Sequence, residues 1–167
     1  KTHWIKLKRF ETLDLALVGF YRTPAGKNTP AQKFGKALVA AYEPKRAMFQ
    51  TIGIVNLVRN NPLTNLTYSD EIAERFKSHG KLLRAPSPLV EYGKQQPDLY
   101  IDPKKTIVLE IRAMNIEFSA NMYACGSDGK RAYSMRIGYV KHIRADKNPF
   151  QATTTEQIAW MHDLQSK

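Results

Sequence analysis

Three apolar runs, each cut off by turn-forming residues, constrain this chain more than any other feature. Leu13–Tyr21 (LDLALVGFY) ends at Arg22-Thr23-Pro24-Ala25-Gly26, Gly35–Tyr42 (GKALVAAY) at Glu43-Pro44, and Met48–Val58 (MFQTIGIVNLV) carries Gly53 inside it. Runs of this length between Pro and Gly read as strands, and three in succession imply a meander or a barrel. A glycine inside a strand marks a bulge or a close approach by a neighbour.

The period changes at Thr67–His79. Ser69 is the expected N-cap, and Asp70, Glu71 and Glu74 crowd the first turns, where the helix dipole favours negative charge. Ile72, Ala73 and Phe76 form one face, and Gly80 is the stop. Lys81–Pro97 reads as a long loop. Strands are expected again at Asp98–Ile101, at Thr106–Phe118, with its alternation of Ile107, Leu109 and Ile111, and at Ala132–Ile143. Ala120–Lys130 is a polar loop. Thr153–Leu164 is a helix with a capping box from Thr153 to Glu156 and an apolar face of Ile158, Met161 and Leu164. The sum is a mainly β fold: a five- to six-stranded Greek-key barrel of the OB type, with one internal and one C-terminal helix.

Composition narrows function. The 167 residues carry 26 Lys and Arg against 15 Asp and Glu, a formal charge of +11. Nucleic acid is the first partner such a balance implies, and an anionic membrane surface the second. Six basic residues fall between Ser127 and Lys147, namely Lys130, Arg131, Arg136, Lys141, Arg144 and Lys147, against Asp128 and Asp146. Set along a strand, they point to a phosphate-binding surface; the plain alternative is a solvated face. Arg75, Lys77, Lys81 and Arg84 form a second basic cluster.

No apolar stretch reaches the ~18 residues of a membrane span, and no signal peptide is visible. The single cysteine, Cys125, excludes an intramolecular disulfide framework and a Cys-rich zinc site; it is expected as a loop thiol in a reducing, intracellular setting, cytoplasm or nucleus. No metal site is expected, since His3, His79, His142 and His162 lack ligand spacing. Beginning at Lys1 with polar, basic residues, the chain is expected to be a piece of something longer.

Two local patterns bear on chemistry. In Trp4-Ile5-Lys6-Leu7-Lys8 an extended backbone turns Lys6 and Lys8 to one face, which suits a phosphate or, more plainly, an amphipathic edge strand. In Arg144-Ala145-Asp146-Lys147 an arginine fork and a lysine point charge are set to hold phosphate, with Asp146 orienting either one; otherwise this is a charged turn before a capped helix.

Together these patterns resemble the ATP-dependent DNA ligases. Trp4–Lys8 is similar to motif V, which closes their nucleotidyltransferase domain, and Arg144–Lys147 to motif VI, in the pattern Arg, any residue, Asp, Lys. Asp14–Tyr21, Gly35–Tyr42, Pro97–Tyr100 and Val108–Ile111 resemble strands of the ligase OB domain, and Lys147–Pro149 through Thr154 the run after motif VI. The sequence departs from the family where Arg136-Ile137-Gly138-Tyr139 replaces the usual Arg-Phe-Pro-Arg, and where Val55–Pro62 replaces a Gly-Thr-Gly-Phe-like turn.

The resemblance implies two parts: residues 1–10, the end of a nucleotidyltransferase domain with a joint near Arg9–Thr12, and residues 11–167, an OB domain. It implies nucleotide phosphates on Lys6, Lys8, Arg144 and Lys147, with Asp146 in support, and DNA on Lys130, Arg131, Arg136 and Lys141. It implies ATP and magnesium as cofactors of the parent, and nicked duplex DNA and the parent's nucleotidyltransferase domain as partners, with no membrane and a monomeric state. The Lys-x-Asp-Gly motif that such ligases adenylate is absent from these 167 residues, so the chain alone is expected to be inactive. The other readings are a stand-alone nucleic-acid-binding OB module and the OB domain of an mRNA capping enzyme or RNA ligase.

Overall fold

The computed structural model describes residues 10–22, 34–120 and 122–165. Motif V, with Lys6 and Lys8, lies outside them. Five strands close a barrel: β1 (Glu11–Arg22), β2 (Phe34–Glu43), β3 (Met48–Asn56), β7 (Val108–Ala120) and β8 (Arg131–Arg144). β1 pairs with β2 and β7, β2 with β3, and β7 with β8, all antiparallel; β3 meets β8 in parallel through Asn56 and Tyr139. This is the expected OB-type barrel.

The strands lie where their apolar runs are. β1 starts at Glu11, opposite Ala113, so Glu11 and Thr12 are strand rather than joint. β3 bulges beside Gly53, where a Cβ would come within 2.6 Å of the Met135 Cε. β1 and β2 are apolar at nearly every position because both of their faces are covered. Leu13, Leu15, Leu17, Val39, Leu109 and Ile111 fill the barrel, whereas Ala16, Val18, Leu38 and Ala40 pack outward against Phe49, Val90 and Tyr92.

The outer cover comes from the segment expected to be plain loop. It holds β4 (Leu82–Leu83) and β5 (Val90–Glu91), which pair with β6 (Leu99–Ile101) and β3 respectively. Two-residue strands carry no periodicity, which is why they do not show in the sequence.

Helix α1 (Tyr68–His79) inserts Ile72 and Phe76 among the barrel residues, with Phe76 edge-on to Phe20. Its N-cap is Thr67, whose hydroxyl accepts from the Asp70 N–H; Ser69, the expected cap, instead donates to the Phe34 carbonyl. Gly80 stops the helix as expected, its N–H on the Phe76 carbonyl. Helix α2 (Thr155–Gln165) packs Ile158 inward, while Leu164, expected on the apolar face, is exposed. Its capping box is Thr154 with Gln157, not Thr153 with Glu156: the Thr154 hydroxyl accepts from the Gln157 N–H and the Gln157 side chain accepts from the Thr154 N–H.

Candidate phosphate-binding site

Arg144 is the last residue of β8, and the turn after it folds back on its side chain. Asp146 takes the guanidinium in a fork: Nε to Oδ1 at 3.0 Å and Nη2 to Oδ2 at 2.9 Å. This pair holds the Asp146 carboxyl down at about 2 and pushes the Arg144 guanidinium further up, both chiefly through the mutual hydrogen bonds. The third nitrogen, Nη1, lies 3.4 Å from Asp14 and 3.5 Å from Glu110. Lys147 puts its Nζ 2.6 Å from Asp14 Oδ2.

Register explains this convergence. Asp14 of β1 stands directly across from Glu110 of β7, and like charges in that relation repel. Arg144 places a cation between them. Thr153 fixes the other side of Asp14: its hydroxyl accepts from the Asp14 N–H at 2.9 Å, and its own N–H donates to the Asp14 carbonyl at 2.7 Å. That long-range task occupies the threonine expected to cap α2. Asp146 orients Arg144; the carboxylate that orients Lys147 is Asp14, which sequence reasoning missed. The available signal was a lone carboxylate inside an otherwise apolar strand, and Glu110 in the run VLEI carries the same mark.

Arg144 and Lys147 line a depression of about 50 Å³ together with Arg75 and His79 from the end of α1. It runs into a broader depression of about 640 Å³ through the shared residues His79, Thr106 and Lys147, and there Lys81, Lys104 and Lys105 join the wall. Arg75 and Lys81 of the second basic cluster are therefore brought to this site. Lys77 is not; it pairs with Glu74 at 3.2 Å on the exposed side of α1.

Comparison with known proteins gives a consistent family. The chain is 30% identical over 173 residues to a DNA ligase of Aeropyrum pernix, covering 97% of this chain and 26% of the relative. It is 29% identical over 176 residues to a DNA ligase of Pyrobaculum calidifontis, covering 99% and 28%. It is 30% identical over 174 residues to a DNA ligase of Saccharolobus shibatae, covering 98% and 26%. The chain is similar to DNA ligases over nearly its whole length. It spans about a quarter of the length of the curated relatives it matches. No family model matches it.

The other basic candidates are spread apart. The β7–β8 register is unbroken from Ala120↔Arg131 to Asn115↔Arg136, so Arg131 and Arg136 project from opposite faces of β8. Lys130 and Arg131 sit at the hairpin tip, where Asp128 accepts both of their backbone N–H groups and is held below the usual carboxylate range mainly by them. The Arg131 guanidinium stacks 4.7 Å above Phe118. Arg136 is exposed, 3.9 Å from Glu117. Lys141 occupies a bulge in β8, and its carbonyl accepts from the Tyr68 hydroxyl.

Beyond Arg136, Ile137 holds φ 50 with its side chain 64% exposed, a left-handed conformation that strains a β-branched residue. Tyr139 is flanked by the Arg59 guanidinium at 4.6 Å and the edge of Phe10. Among the described residues no group of His, Cys, Asp and Glu converges to hold a metal ion, and no helix is long and apolar enough to cross a membrane. Cys125 is the expected loop thiol, in the turn between β7 and β8, and it is fully buried: its N–H is tied to the Thr51 carbonyl, and burial pushes the thiol up to about 12.

Proposed function

We propose that this chain is the OB domain of an ATP-dependent DNA ligase, closing on a nucleotidyltransferase domain during nucleotide transfer and then packing on nicked duplex DNA. The observation that carries the reading is Arg144, held by Asp146, and Lys147 at the rim of a basic depression, in a chain alignable with DNA ligases over 97–99% of its length. In the first chemical step a lysine of the partner domain attacks the α-phosphorus of ATP. A phosphorus–nitrogen bond forms, the bond to the β-phosphate oxygen breaks, and pyrophosphate leaves with the electron pair. Arg144 and Lys147 stabilise the charge that accumulates on it. Magnesium would share that charge. Asp146 and Asp14 keep the two cations in place between turnovers. The alternating partners, nucleotide and DNA, use different faces: the Arg144 turn for the nucleotide, and the β8 residues Arg136 and Lys141 with the Lys130–Arg131 tip for DNA.

The test is single-turnover kinetics on the parent enzyme. Arg144→Ala and Lys147→Ala should slow self-adenylation by ~10²-fold, by analogy with the removal of one preorganised donor to a developing anion. Sealing of pre-adenylated nicked DNA should slow far less, because the β- and γ-phosphates have already left. Arg136→Ala should show the opposite bias. Equal slowing of both steps by Arg144→Ala would overturn the assignment and leave the residue a structural role in its turn.

A further inference from the structure

Among the described residues only two arginines are half-buried, Arg112 and Arg144; the others are exposed. Their circumstances are opposite. Arg144 has three carboxylates within 3.5 Å. Arg112 makes no hydrogen bond, ion pair or ring contact among the described residues. Taking a guanidinium partly out of water without a partner costs free energy, and its planar fork is shaped for a carboxylate.

Strand register explains why no carboxylate of this chain serves it. Arg112 of β7 stands between Thr12 of β1 and Tyr139 of β8. One row along the same face are Asp14, Glu110 and His142. Both acids there are already engaged: Asp14 by Arg144 and Lys147, Glu110 by Arg144 and, at 3.9 Å, by His142. On the other side of Arg112 the face turns aromatic. Phe10, 47% exposed, lies edge-on to Tyr139 with ring centroids 6.1 Å apart. Arg112 and the Arg144 cluster therefore share one sheet face, in rows ~7 Å apart along the strands. A surface that docks on the Arg144 turn with the ~800 Å² per partner of a stable interface extends well past that separation. What closes over Arg144 also closes over Arg112.

We infer that Arg112 is a docking residue: when this face closes on the parent's nucleotidyltransferase domain, Arg112 receives a carboxylate from that domain, with Phe10 and Tyr139 as the aromatic rim of the contact. The inference rests on the reading of the Arg144 turn as the part that closes. The chemistry of the occupant comes from the face itself. An unpaired, half-buried guanidinium beside aromatic rings has the composition of an interface centre, where arginine and tyrosine are enriched. A nucleic-acid backbone fits this face poorly, because Asp14, Glu110 and Asp146 stand along it and repel phosphates. The contact exists only in the closed state, so it shifts the domain equilibrium toward closing.

The experiment treats the wild-type parent enzyme with phenylglyoxal, which modifies accessible guanidinium groups, and reads each arginine by mass spectrometry. The arms are no addition, an ATP analogue whose α,β-bridge is a methylene, and nicked duplex DNA; Arg46, exposed in the β2–β3 turn, is the internal reference. Arg112 should react at least fivefold more slowly with the analogue than without it, and should stay reactive on the duplex. Equal reactivity with and without the analogue would overturn the inference. Protection by the duplex alone would overturn it too, and would make Arg112 a nucleic-acid contact. In single-turnover assays of the parent at saturating ATP, Arg112→Gln and Arg112→Glu should slow self-adenylation at least tenfold and sealing of pre-adenylated nicks far less. Arg112→Lys, which keeps the charge and loses the fork, should recover part of the rate. Self-adenylation at the wild-type rate in Arg112→Glu would overturn the inference. The two readings fail separately: an unprotected Arg112 beside an Arg144→Ala variant that slows only self-adenylation sinks this inference alone, whereas an Arg144→Ala variant that slows both steps equally sinks the proposed function.

Discussion

Asp14→Asn separates the two tasks of the carboxylate at the centre of the site. In the wild type an anion that engages Lys147 competes with Asp14, whose oxygen lies 2.6 Å from Nζ. With Lys147 30% and Asp14 15% exposed, this pair is worth ~0.5–1 kcal/mol, the upper part of the range for such contacts. Neutralising Asp14 removes that competition, so pyrophosphate affinity should rise ~two- to fivefold. Stability should change little, because two effects oppose. The pair with Lys147 and the longer contact with Arg144 are lost, but the repulsion between Asp14 and Glu110 across the β1–β7 ladder, also of order 0.2–1 kcal/mol, is relieved. A residual imbalance below ~1 kcal/mol moves the melting temperature by at most ~4 °C in a domain of this size. Calorimetric titration with pyrophosphate and a thermal melt measure the two quantities on one sample. A fall in affinity would refute the reasoning, since it would mean that Asp14 presents the cations to the ligand rather than withholding them.

Gly19→Ala should destabilise the fold by ~1–3 kcal/mol in denaturant melts, because the new Cβ would lie 2.5 Å from the Pro97 Cβ, in a ring that cannot rotate away; a neutral or stabilising result would mean that the 97–99 segment yields freely. Stability should also fall as pH rises above 9. The buried Cys125 thiol is pushed from 9.0 to about 12, so the unfolded chain releases that proton first, and the contribution is intact below pH 9 and lost above it at up to ~1.4 kcal/mol per pH unit. Cys125→Ala should flatten this slope between pH 9 and 10, before Tyr21, pushed from 10.0 to about 12, adds its own loss; an unchanged slope would place its origin elsewhere.

What the sequence revealed and what it concealed follow from the range of the interactions involved. Strands and α1 were legible because apolar runs and turn residues act locally. The caps were half legible. Each stretch offered two candidate hydroxyls, and a long-range bond decided between them: Phe34 claims Ser69, leaving Thr67 to cap α1, and Asp14 claims Thr153, leaving Thr154 to cap α2. The 81–97 segment looked like loop because its strands are two residues long, although β1 and β2, apolar on both faces, already called for a second cover. At the site the pattern of Arg144, Asp146 and Lys147 was visible, but its partners were not. Asp14, Glu110 and the Lys104–Lys105 turn join it through strand register and backbone bonds that no spacing along the chain encodes.

The way the barrel closes has a kinetic consequence. β1, β2 and β3 form one unit through neighbouring strands, and β7 and β8 form another across a single hairpin. Two seams join the units. One, β1 to β7, carries six registered pairs, from Glu11↔Ala113 to Ala16↔Val108; the other, β3 to β8, carries the single pair Asn56↔Tyr139. Both seams close loops of roughly 80 to 100 residues, which makes docking of the two units the slow step of folding. Once β1 and β7 have zipped, the second seam adds little further loop entropy and few bonds. It is the line along which the native barrel parts most readily, so amides around residues 54–58 and 137–141 exchange with solvent through local opening well before those of β1 do.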